Sequence, residues 1–175
     1  MKIAKNICIL VMILCITLLQ GCTKSSKDIG FEVYLGKVYG TNVENYSISE
    51  KPLFTDADIQ TYDWNTHEII FDKDFFDKLK AKNNNDDTKM YIGGSKLFNT
   101  GLMDKFIVYV NKELVYEGFY MQSVLSSFYP VGATMVDLED GIQITFNDIE
   151  GSNVIDKRDD QRIYNILKQK NIIKE

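Results

Sequence analysis

Residues 7–19 form an apolar run interrupted only by Thr17, and the run stops at Leu19-Gln20-Gly21-Cys22. Nothing else constrains the fold as strongly, because this boundary decides which residues are left to fold. As a helix the run spans about 20 Å, against a hydrocarbon core of roughly 30 Å. That is short for a transmembrane segment. Lys2 and Lys5 precede it with no acid beside them, which completes the layout of a cleaved export signal. Cleavage before Cys22 leaves 154 of the 175 residues, the size of one ordinary domain. Cys8 and Cys15 leave with the signal. The folded part therefore has no disulfide, thiol nucleophile or thiolate metal site to draw on, and its stability has to come from the core.

The tetrapeptide at the cut resembles the lipobox of bacterial lipoproteins. Leu19 stands at its large aliphatic position, Gly21 at the small position before cleavage and Cys22 at the lipidated cysteine, while Gln20 departs from the usual small residue. The resemblance implies a diacylglyceryl thioether on Cys22 and a chain held at the outer face of the cell membrane. Two acyl chains give stable attachment where one is reversible. On this reading residues 1–21 are signal, residues 22–30 are the lipidated cysteine and a short polar tether, and residues 31–175 are one domain. Cleavage removes two lysines and no acid, so 18 basic residues face 25 acidic ones. Such a chain has no basic footprint for nucleic acid and is mildly repelled by anionic headgroups. Lipid rather than charge has to hold it.

Alternation predicts a first strand over 31–39, followed by a loop over 40–52. Thr55 with Asp56 and Asp58 marks a helix start, for a short helix reaching Tyr62. Residues 67–71 read as a strand. Asp72 or Asp74 then opens a helix carrying Phe75, Phe76 and Leu79 on one side. After the polar connector 83–87 the pattern turns to β, with a short strand at 90–92. A hairpin is expected over 106–120, turning through Asn111-Lys112-Glu113. In the next hairpin, over 134–146, a three-residue loop of Glu139 to Gly141 with Gly141 left-handed pairs Leu138 with Ile142 and Val136 with Ile144. A last helix runs from Arg158 to Gln169, opened by Asp156 or Asp159, with Ile163, Ile166 and Leu167 buried. The expected fold class is α+β: a single domain with an antiparallel sheet of hairpins and two or three helices packed mainly on one face.

The middle of the chain carries Ser49-Glu50-Lys51-Pro52-Leu53, Asp58-Ile59, Tyr62-Asp63-Trp64 and His67-Glu68-Ile69. Residues 106–111, Tyr116-Glu117-Gly118 and Ser126-Ser127 continue the pattern. These motifs resemble a group of small, uncharacterised lipoproteins from low-GC Gram-positive bacteria. The two arginines set against many lysines, isoleucines and asparagines agree with an AT-rich genome. The resemblance implies a folded domain and no particular activity.

Candidate chemistry is sparse. His67 is the sole histidine, and Asp63, Glu68 or Asp72 would have to orient it for acid–base work. Its place at the start of a strand beside Trp64 also suits a structural imidazole. Acids gather at Asp56, Asp58 and Asp63, at Asp72, Asp74 and Asp77, and at Asp137, Glu139 and Asp140. None of these runs has the spacing of an EF-hand loop, and most have an obvious role as caps or turns. Gly93-Gly94-Ser95-Lys96 lacks the first glycine and the following helix of a phosphate loop. Ser123, Ser126 and Ser127 lack a nucleophile-elbow setting. No metal or cofactor is expected. The aromatics are the best lead: Tyr62 and Trp64 with His67, Phe119 with Tyr120, and Phe128 with Tyr129 form the candidate binding surface. The expected role is a non-enzymatic accessory module that binds an envelope protein. A small cell-wall hydrolase and an immunity or inhibitor lipoprotein are the alternatives.

Overall fold

A computed structural model describes residues 30–83, 94–101, 103–121 and 130–175. Cys22, the residues before it and the tether as far as Ile29 lie outside these. So do the strand expected at 90–92, Gly93, Ser123, Ser126, Ser127, Phe128 and Tyr129.

Among the described residues ten strands make one sheet: β1 (Phe31–Val38), β2 (Tyr46–Ile48), β3 (Phe54–Thr55), β4 (Ile59–Asp63), β5 (Glu68–Phe71), β6 (Lys105–Val110), β7 (Glu113–Met121), β8 (Gly132–Asp137), β9 (Gly141–Asn147) and β10 (Ile173–Lys174). Two helices accompany them among the described residues, α1 (Lys73–Asn83) and α2 (Gln161–Gln169). The strand order is β10-β4-β5-β9-β8-β7-β6-β1-β2, and β3 also pairs with β1. Because β3 runs through one 3-10 turn, Asp56–Asp58, directly into β4, the order closes on itself. The sheet curls into a ring of β1, β3/β4, β5, β9, β8, β7 and β6. Phe31 of β1 and Tyr62 of β4 consequently meet, their ring centroids 6.4 Å apart. Phe54, Phe71, Phe98, Phe106 and Tyr120 pack with them inside.

The sheet is mixed rather than antiparallel, since β7 pairs with β8 and β4 with β10 in parallel. The helices also depart from the expected packing: they close opposite ends of the ring instead of sharing one face. At one end, Phe76 of α1 stacks on Phe71, and Lys80 donates to the Glu139 carbonyl at the β8–β9 turn. At the other, Arg162 of α2 reaches Glu113 at the start of β7, and Tyr164 meets Trp64 just after β4. The α2 stripe of Ile163, Ile166 and Leu167 is buried as its spacing predicts.

Local chemistry explains most of the other differences. Thr55 does cap a turn: its hydroxyl accepts from the Ala57 N–H, and the Asp58 carboxylate accepts from the Thr55 N–H. The turn then ends at Ile59, because pairing with β5 takes residues 59–63 as a strand. β2 occupies part of the expected loop 40–52. Asp72, not Asp74, caps α1, accepting from the Asp74 N–H at 2.9 Å. Asp160, not Asp156 or Asp159, caps α2. The β6–β7 turn has two residues rather than three. Val110 pairs with Glu113, and Asn111 and Lys112 take positive φ of 53° and 68°, as a primed hairpin turn requires.

The β8–β9 register also differs from the sequence reading. Met135 pairs with Ile144 and Asp137 with Ile142, while the Leu138 N–H donates to the Gly141 carbonyl across a Glu139-Asp140 turn. Gly141 is not left-handed. The inward face of β8 is thus Ala133, Met135 and Asp137. Asp137 tolerates that side because it accepts from Ser95 Oγ at 2.6 Å and from the Leu97 N–H at 3.0 Å.

Candidate functional site

His67 follows a turn built by Asp63, whose Oδ1 accepts from the Asn65 and Thr66 N–H groups, each at 3.1 Å. The turn leaves His67 with φ of 53° and drives its ring under the α2 end of the barrel, where it is buried. Nδ1 lies 3.1 Å from the Tyr62 hydroxyl, and Trp64 packs against the ring edge-on. Nε2 is 3.6 Å from Asp159 Oδ1, too far for a hydrogen bond. Burial holds the imidazole below its ordinary pKa, and Arg158 adds to the effect; Asp159, Asp156 and Asp63 oppose it. Arg158 is itself engaged by Asp156 and the Ile144 carbonyl.

None of the acids expected to orient His67 does so. Asp63 holds its turn and pairs with Lys174 at 3.2 Å; that contact, with the turn's backbone donors, keeps its carboxyl below the usual range. Asp72 is spent on α1. The nearby acid is Asp159, 92 positions along the chain from the histidine, which no local spacing reveals. A neutral, buried imidazole sharing a proton with a buried phenol is suited to holding the β4–β5 turn in place.

A pH effect follows. With its folded pKa depressed, neutral His67 contributes stability above the unfolded value of about 6.5, and this is lost as pH falls toward the folded value. Urea midpoints measured between pH 8 and pH 5 should therefore drop for the wild type more than for His67→Asn, a replacement that tolerates the left-handed backbone. Parallel pH profiles would refute this role for the imidazole.

The other aromatic candidates separate. Tyr62 and Tyr120, expected at a surface, are fully buried core residues. Phe119 and Tyr120 are neighbours on one strand and point to opposite faces. Phe119 lies outside the ring, with Lys105 Nζ 5.6 Å from its centroid. Trp64 is half-buried, edge-on to Tyr164 at 5.2 Å. These residues do not form one continuous surface. The Gly94-Ser95-Lys96 segment is a tight turn: Ser95 donates its N–H to Thr100 Oγ1, and its hydroxyl accepts from the Phe98 N–H. Asp56 faces the Phe31 N–H and Lys170. Among the described residues no three His, Cys, Asp or Glu side chains gather as a metal site.

A surface the sequence reading missed lies on the outer face of β1, β6 and β2. Glu32, Tyr34, Ile48, Tyr109 and Lys112 line a groove of about 330 Å³. The Tyr34 and Tyr109 rings meet edge to face, centroids 5.5 Å apart. The Tyr34 hydroxyl donates to Glu32 at 3.4 Å, and burial, with Glu32 beside it, raises the phenol's pKa. The alternation of β1 places Glu32 and Tyr34 on one face, but their meeting with Tyr109 depends on the β1–β6 register. The sequence holds no turn that fixes it.

No protein-family model, curated protein or solved structure matches the chain.

Proposed function

We propose that the chain is a lipid-anchored, non-enzymatic binding module at the outer face of the cell membrane, engaging an envelope protein through the tyrosine groove. The observation that carries the binding role is the paired Tyr34 and Tyr109 on the outside of the barrel, flanked by Glu32, Lys112 and the exposed Ile48. Tyrosine supplies contact area with a polar tip and is enriched where proteins meet. The chemically versatile groups near His67 are meanwhile held by one another. The anchor rests on Leu19, Gln20, Gly21 and Cys22 and on the short apolar run before them.

In-cell photocrosslinking tests both parts. A benzophenone residue at position 34, 48 or 109 should give one defined membrane-protein adduct, while the same probe at exposed Lys78 on α1 should not. Cys22→Ala, exported behind an ordinary cleavable secretory signal in place of residues 1–21, should leave the membrane fraction and weaken the adduct. Equal, diffuse labelling from all four positions would sink the groove as the binding surface. Retention of that signal-exchanged, lipid-free variant in the membrane would sink the lipid anchor.

A further inference from the structure

We infer that the α2-capped end of the barrel is a bilayer-contact surface, with Leu114, Ile149, Val154 and Ile155 as the side chains that enter the lipid interface. The inference rests on the anchor at Cys22 proposed above and adds an orientation to it.

The described chain begins at this end. Gly30 donates its N–H to Asn111 Oδ1 at 3.0 Å, and its carbonyl accepts from the Asn111 N–H at 2.9 Å. The tether is thereby pinned beside the Asn111-Lys112 turn. Gly30 stands eight positions after Cys22, a separation that a fully extended chain spans with at most about 28 Å. A lipidated Cys22 therefore keeps this end of the barrel, rather than the α1 end, at the membrane surface, where even weak contacts are made intramolecularly.

The same end collects exposed apolar side chains. Of the six large hydrophobic residues most exposed among those described, four lie here: Leu114 at 53%, Ile149 at 48%, Val154 at 48% and Ile155 at 74%. Leu114 stands two residues beyond the Asn111-Lys112 turn. The other three belong to the segment running from the end of β9 toward the Asp160 cap of α2, with Val154 lying over Gly132 at the start of β8. Three exposed apolar residues on one connecting segment, beside the tethered turn, match the interface of the bilayer that the tether itself brings near.

Charge at this end is largely paired off. Arg162 bridges Glu113 and Asp160, Arg158 holds Asp156, Lys174 holds Asp63, and Lys170 lies 3.7 Å from Asp56. Asp148 and Glu150 flank Ile149 and keep the patch mildly acidic, so contact gains nothing from anionic lipid. Neutral, zwitterionic headgroups are the matching surface. The barrel then stands with α2 toward the lipid, α1 away from it and the tyrosine groove on its flank.

Depth-dependent quenching tests this. The lipidated protein would be purified from its membrane and reconstituted in phosphatidylcholine vesicles carrying nitroxide lipids. Cys22 is the sole cysteine after cleavage and is blocked by lipid, so Ile155→Cys, Leu114→Cys and Tyr39→Cys each accept one environment-sensitive fluorophore. Quenching several-fold stronger at 155 and 114 than at 39 is the expected result. Equal quenching at all three, with the mass of the protein showing a diacylated Cys22, overturns the contact surface and leaves the anchor standing. A blue shift at 155 without nitroxide quenching assigns the patch to a second copy or another protein, and also overturns it. An unmodified Cys22 overturns the anchor and this inference together.

Discussion

Gly141→Ala is expected to cost about 3 kcal/mol or more, at or beyond the upper end of ordinary overpacking. A Cβ on Gly141 would sit 1.9 Å from the Ile69 carbonyl oxygen and 3.2 Å from the Ile70 Cα. Both belong to the backbone of β5, so no side chain can swing aside. β9 would have to move away from β5 by more than an ångström, breaking the Ile69–Ile142 and Ile70–Gly141 pairs. Ile142 and Ile144, both fully buried, would shift with it. Gly118→Ala should behave similarly, its Cβ falling 2.3 Å from the Ala133 carbonyl oxygen and 2.5 Å from the Phe106 ring. Gly40→Ala is the control. It has φ of 77° with nothing within 4 Å of the added carbon, so it carries only the left-handed penalty of about 1–2 kcal/mol. Urea unfolding of the three variants should rank Gly40→Ala as the mildest by a clear margin. If Gly141→Ala stays within about 1 kcal/mol of the wild type, the β5–β9 pairing described above is wrong.

Gly141 also shows what the sequence could and could not reveal. Its position after Glu139-Asp140 marked a turn, and the turn exists. Its role lies elsewhere: the glycine is needed for the close approach of Ile69 and Ile70 in β5, 72 and 71 positions earlier in the chain, and not for a left-handed backbone. The same limit applies to the β8–β9 register. Pairing Val136 and Leu138 with Ile142 and Ile144 kept one apolar face on paper, but Asp137 faces inward because Ser95 and Leu97 satisfy it. A carboxylate partnered from a distant turn reverses an argument made from hydrophobicity alone.

Periodicity served well where a single element decides its own burial. β1, α1 and the Ile163, Ile166 and Leu167 stripe of α2 were all legible. Closure of the sheet was not, since it depends on two residues of β3 reaching β1 before the chain turns into β4. The parallel strand β10 follows α2 and has only two residues, too few for any alternation to register. The candidate site follows the same division. His67 was legible as a structural imidazole beside Trp64, whereas Asp159 and the Tyr34–Tyr109 pair required the tertiary fold.

The largest electrostatic effect should come from Lys105. It lies on the outer face of β6, and its side chain is 3% exposed. Its ammonium contacts Glu117 Oε1 at 2.5 Å and lies 4.6 Å from the Tyr46 ring centroid. Tyr46 donates its hydroxyl to the other Glu117 oxygen at 2.8 Å, and that bond, with burial, pushes the phenol up to about 12. The three residues staple the edge strand β2 over β1 and β6. A Cβ on Gly36, in β1, would crowd Tyr46, Ile107 and Lys105 at 3.1–3.2 Å. Glu117→Leu removes the counter-charge and leaves a buried ammonium, which in a fully enclosed pair costs about 3–5 kcal/mol. Glu117 is 36% exposed and Glu44 stands 3.9 Å from the ammonium, so about 2–3 kcal/mol is the expected loss. The double change Lys105→Met with Glu117→Leu should recover most of it, because desolvation of the pair offsets much of its attraction. In both variants the Tyr46 hydroxyl loses its acceptor and its titration should move back toward pH 10, readable by ultraviolet absorbance. A single variant as stable as the wild type would mean that β2 is held by apolar contact alone. A double variant no better than the single one would mean that the ion pair, rather than the space it fills, fixes β2 to the barrel.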